Sequence, residues 1–114
     1  MGLFGKPYDK SRKVLEKLRT EKFGLQEDYN ESESDELKAK IDELTKKIDL
    51  FIEETYAKEI YDYYKSKKPK LVRIKNGQIE SWEDVFGDSY EALSKAQLHV
   101  LIGLVEGDGK YKLK

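Results

Sequence analysis

The chain has no cysteine, which excludes disulfides, thiolate metal sites and cysteine nucleophiles. Histidine occurs once, as His99, so a transition-metal site built from imidazole and thiolate ligands has no residues to use. His99 sits in the apolar run from Ala96 to Val105 with no catalytic partner at useful spacing, and a core or half-buried structural role is expected. No run approaches the roughly 18 apolar residues of a membrane span. The opening Met1–Lys6 lacks a signal peptide's apolar core and the Ser/Thr that myristoylation wants at its sixth position. The expected setting is therefore the cytoplasm, or the virion or host cytoplasm for a viral chain, with no membrane contact.

Catalytic signatures are missing too. Gly107-Asp108-Gly109 is not followed by the Lys-Ser/Thr of a phosphate loop, and no serine-nucleophile motif occurs. The acidic groups Glu31, Glu33, Asp35, Glu36 and Glu83, Asp84, Asp88 miss the calcium-loop spacing and read as caps and solvated faces. No enzyme activity, cofactor or metal is expected. Arginine is scarce as well, at 3 residues against 19 lysines, which counts against bidentate reading of bases or phosphates.

Charge is what the chain has in quantity: 39% of residues are Asp, Glu, Lys or Arg, yet the net charge is only −1. The charges are blocked. Residues 1–24 sum to +4, 25–63 to −8, 64–75 to +6, 76–108 to −6 and the tail to +3. Such blocks suit docking against a partner.

The largest organised stretch is Ser34–Lys65, which reads as one helix. Leu37, Ile41, Leu44, Ile48, Phe51 and Thr55 follow 4, 3, 4, 3, 4 spacing, a coiled-coil seam. The next seam position is Lys58, so the heptad ends there. The apolar stripe resumes one step over at Tyr56, Ile60, Tyr63 and Tyr64, as a local shift in packing would require. Asp35 and Glu36 in the first turn, and Lys65, Lys67 and Lys68 before Pro69, match the helix dipole at both ends.

Before it, Gly2-Leu3-Phe4-Gly5 is a small apolar tag. A first helix is expected from Asp9 as N-cap to about Phe23, ended by Gly24 and followed by a polar linker over 25–33. Its apolar face is thin (Val14, Leu15, Leu18, Phe23), which leaves the seam incompletely covered. Leu37, Ile41, Leu44, Ile48 and Phe51 are therefore a candidate surface for self-association or a helical protein partner.

After Pro69 the period becomes two. Leu71–Lys75 and Gln78–Trp82 flank Asn76-Gly77, a hairpin signal. A two-residue loop would set Arg73 opposite Glu80 and Leu71 opposite Trp82, with Val72, Ile74 and Ile79 on the other face. Ser81 is placed to cap a short turn closed by Gly87. A later helix runs to about Glu106, with a second capping signature, Ser94 to Gln97, marking a break. Lys110–Lys114 alternates like an edge strand that could extend the hairpin, its lysines guarding the edge.

The chain is thus expected to be α+β and mainly helical, a single domain. Residues 1–66 form a helical hairpin with one long coiled-coil-like helix. Residues 67–114 form a compact half with a small antiparallel β-hairpin and a carboxy-terminal helix. The expected function is a small non-enzymatic interaction module, an adaptor, inhibitor or assembly component, for which a phage or viral origin would suit the composition. Lys65, Lys67, Lys68, Lys70, Arg73 and Lys75 form a patch for an anionic partner. Tyr61, Tyr63 and Tyr64 precede it, so the alternative is a nucleic-acid-associated protein.

Overall fold

A computed structural model describes residues 6–107 and 109–114. The tag Gly2–Gly5 and the middle of the turn at Asp108 lie outside the described residues. Within them the protein is mainly helical with a small antiparallel sheet, as expected. It divides into two compact units, Met1–Tyr56 and Ala57–Lys114.

In the first unit, helix α1 (Asp9–Ser32) and helix α2 (Asp35–Phe51) form a hairpin joined at Glu33 and Ser34. The Ser34 hydroxyl caps α2 by accepting from the Leu37 amide at 3.4 Å. Glu33 takes the left-handed conformation, φ 50°, that the tight reversal needs. Helix α1 does not stop at Gly24 but runs on through the expected linker. One internal glycine costs only about 1 kcal/mol relative to alanine, and tertiary packing outweighs it. Tyr8, Ser11, Leu15, Leu18, Lys22, Leu25 and Tyr29 recur at 3, 4, 3, 4, 3, 4 spacing, and each is buried or half-buried. Helix α1 therefore carries its own heptad stripe. Val14 and Phe23 lie off it, 45% and 65% exposed.

Helical backbone runs unbroken from Asp35 to Lys67, but not with one geometry. Ile52–Tyr56 forms a π-helical turn between α2 and helix α3 (Ala57–Lys67). A π-turn holds one residue more than an α-turn. That extra residue is the one-step shift of the apolar stripe. Ile48 and Tyr56 are both buried although eight apart, where a heptad would have used seven.

In the second unit, strand β1 (Lys70–Arg73) lies between strand β2 (Ile79–Ser81) and strand β3 (Tyr111–Leu113), all antiparallel. Helix α4 (Trp82–Phe86) and helix α5 (Lys95–Glu106) start with full capping boxes, at Ser81/Asp84 and Ser94/Gln97. A single 3₁₀ turn, Tyr90–Ala92, lies between them, so the break expected near Ser94 is present. The core comprises Ala57, Ile60, Tyr61, Leu71, Trp82, Phe86 and Leu101. Trp82 centres its aromatic part, 4.6 Å from Phe86 and 5.5 Å from Tyr61 between ring centroids.

The hairpin forms in a different register. Leu71 pairs with Glu80 and Val72 with Ile79, two places from the expected alignment. The loop has four residues, Ile74–Gly77, closed by Gly77 N–H donating to Arg73 O at 2.8 Å. Only Gly77 is left-handed, φ +66°; Asn76 instead accepts the Gln78 amide on its side chain at 3.0 Å. A longer loop with a single left-handed position lets asparagine avoid the strained region. The shift of two preserves facing, and Leu71 keeps its place in the core.

Two tests follow from these turns. Deleting the exposed Glu54 should close the π-turn into α-helix with both flanks in phase, moving the melting temperature by less than about 8 °C. Deleting the exposed Lys47 should rotate all that follows by about 100° and unfold the seam. Thermal melts of the two variants compare them directly, and equal losses would refute the inserted-residue reading. At the hairpin, Gly77→Val should destabilise by more than about 1 kcal/mol through backbone strain alone, since no atom lies within 4 Å of the added Cβ. Denaturant unfolding measures it.

Candidate docking surface

The two groups of sequence-predicted site residues fall in separate units. Ile41, Leu44 and Ile48 are buried, and Leu37 and Phe51 half-buried, along the side of α2 that meets α1. With six seam positions on α1 and Tyr8 just before it, the centre of this stripe is covered within the chain.

The basic residues divide by their neighbours. Lys65, in the last turn of α3, reaches the segment after α4: its Nζ donates to Asp88 O at 2.6 Å and lies 5.5 Å from the Tyr61 ring centroid. Lys67 sits over Tyr63 at 4.8 Å. Lys68, φ 46°, is the left-handed residue that ends the helix before Pro69. Lys75 is exposed in the hairpin loop.

Lys70 and Arg73 emerge on opposite faces of β1, because strand side chains alternate. Arg73 points to the face shared with Leu71. Its Nη2 donates to Glu80 at 3.1 Å and to the Tyr111 hydroxyl at 2.8 Å, and its Nε donates to the same hydroxyl at 3.1 Å. The expected Arg73–Glu80 pair is thus made, but diagonally, and Tyr111 joins it from the third strand. Tyr111's bond and then Glu80's charge raise the Arg73 pKa further above its usual range. Burial first, and the bond to Glu80 second, raise the Tyr111 pKa; Arg73 opposes them in part.

The other face carries Lys70 and Val72 from β1, Ile79 and Ser81 from β2, and Lys112 from β3. Val72 pairs with Ile79 on one side and Lys112 on the other. Lys114 continues the alignment opposite Lys70, donating its N–H to Lys70 O at 3.0 Å. Lys70, Lys112 and Lys114 are exposed, and no acidic strand residue alternates onto their face among the described residues. Like charges so close on a sheet are destabilising, and none of the three has an ion-pair partner among the described residues. Sequence reasoning separated Lys112 and Lys114 from the patch by forty residues. Only the pairing of β3 with β1 joins them.

His99 differs from its expectation. It is exposed on α5, not in the core, and lines a cleft beside Arg73 and Tyr111. Its helix buries Leu101 and Gly103, and position 99 falls on the outer side. Among the described residues no helix is long and apolar enough to cross a membrane.

The chain matches no protein-family model, no curated protein and no solved structure.

The raised Tyr111 pKa, set by burial and by Glu80 against the opposing pull of Arg73, predicts a pH effect. A tyrosine whose folded pKa is raised favours folding while neutral. That contribution is complete below about pH 10, the ordinary tyrosine value, and is lost as pH rises through the higher folded value. Tyr111→Phe should lower stability at neutral pH by about 0.5–1.5 kcal/mol, and its stability should decline less steeply above pH 10 than that of the parent. Denaturation curves at neutral and alkaline pH separate the two effects.

Proposed function

We propose that this protein is a non-enzymatic interaction module that docks an acidic protein surface on the lysine face of its sheet. One observation carries the reading: Lys70, Lys112 and Lys114 share a face and have no ion-pair partner among the described residues. An acidic partner would relieve that repulsion. Ile79, 48% exposed, and Val72 supply apolar contact between the charges. Lysine stems can lie along such a stripe while their ammonium groups reach out. Lys68, just before the strand, adds to the same charge block. An adaptor, inhibitor or assembly component would use the surface in this way.

The nucleic-acid alternative has less support. Single-strand binders stack bases on aromatic platforms, and the lysine face offers no aromatic ring. Tyr61 is buried in the core, while Tyr63 and Tyr64 pack edge to face at 4.9 Å. Arg73, best suited to phosphate, lies on the opposite face of the sheet, where its Nε and Nη2 bond Tyr111 and Glu80.

The test is a triple substitution, Lys70→Gln, Lys112→Gln and Lys114→Gln. Association with the partner isolated from the native host should slow by about tenfold or more and lose most of its salt dependence. Leu37→Ser, at the half-buried end of the seam, should leave that rate unchanged. Sub-micromolar binding of single-stranded DNA or RNA by the parent at about 150 mM salt, lost in the triple variant, would overturn the proposal in favour of the alternative.

A further inference from the structure

The face of the sheet opposite the lysines borders a cleft of about 930 Å³ against α4 and α5. That volume lies within the range of small-ligand sites, which combine apolar walls with a few convergent polar groups. Ile74, Val85 and Val100 provide the apolar wall here. Ile74 is 55% exposed, so an occupant would cover apolar surface that the fold leaves in water.

The charges around the cleft are unequal. Arg73, Lys75 and Lys110 line it as cations, Glu80 and Asp84 as anions. Both anions are engaged: Glu80 takes Arg73 Nη2 at 3.1 Å, and Asp84 accepts the Ser81 amide at 3.2 Å. The cations are less fully used. Arg73 bonds through Nε and Nη2 only, leaving Nη1 without a partner among the described residues, and Lys75 and Lys110 have none there either. Among the described lining residues the cleft therefore holds a surplus of one positive charge and three unmatched donor groups.

We propose that this cleft binds a small monocarboxylate with an apolar body. The carboxylate would take Arg73 Nη1 and the Lys75 and Lys110 ammonium groups, and the body would lie along Ile74, Val85 and Val100. A single carboxylate neutralises the surplus, whereas a phosphate dianion would leave an excess negative charge beside Glu80 and Asp84. The site is independent of the lysine face, since it lies on the other side of the sheet and uses different residues.

The test is an amide NMR titration of the full chain with phenylbutyrate and, separately, its neutral amide. The acid should give saturable shifts at Gln97, Val100 and Gly109, and the neutral amide should bind about tenfold more weakly or less well still. Lys75→Gln with Lys110→Gln should weaken the acid by a similar factor while the rest of the spectrum stays native. Ala96→Trp, a large side chain at an exposed lining position, should abolish the shifts. Lys95→Gln, on the same helix but outside the cleft, should leave the affinity unchanged. No saturable shift with the acid, or equal binding of the acid and its amide, would overturn the proposal.

Discussion

Strand β1 is the element on which both surfaces of the carboxy-terminal unit depend. It has four residues and is the strand bonded on both sides. Its alternation sends Leu71 and Arg73 one way and Lys70 and Val72 the other. Leu71 is fully buried, which fixes the direction of the remaining three. A slip of one residue would expose Leu71 and turn Arg73 away from Glu80 and Tyr111. The hydrophobic demand of one side chain thus settles where the cations emerge.

The neighbours of β1 contribute differently. Strand β2 brings Glu80 as the acid for Arg73, while β3 brings Tyr111 to the same guanidinium. Their other faces hold no such balance. Two lysines come from β3 and its end, one from β1, and β2 supplies Ile79 and Ser81. Among the described residues, one side of the sheet is therefore internally neutralised down to a single surplus charge, and the strand charges of the other are all cationic. Arginine stands where geometry must be held by a planar fork, and lysine where charge reaches into solvent.

Much of the fold was legible in residue spacing. The seam of α2, both capping boxes and the third strand follow from local patterns, because each depends on side chains a few residues apart. Even the π-turn left a trace, in the step from Thr55 to Tyr56. Helix α1 was misread because its stripe includes Ser11 and Lys22, whose burial comes from tertiary packing and not from their own hydrophobicity. The hairpin register was missed because Asn-Gly suits two loop lengths, and a shift of two leaves side-chain facing unchanged, so alternation does not separate them. The lysine face was invisible for a different reason. It joins residues 70 and 112, whose proximity is a tertiary fact.

The same contrast bears on which surface is available to a partner. Apolar patterning first drew attention to the α2 seam, but a good seam is also what a stable hairpin consumes. The centre of that seam is buried, and tertiary packing is the main source of stability for amphipathic helices. Uncompensated charge behaves otherwise. It contributes nothing favourable to the isolated fold, and mutual repulsion among Lys70, Lys112 and Lys114 opposes it. Each lysine could be replaced by a neutral residue without disturbing the buried face of the sheet. A feature that the fold does not need, placed where solvent and partners can reach it, points to interaction more directly than an apolar stripe whose centre is already covered.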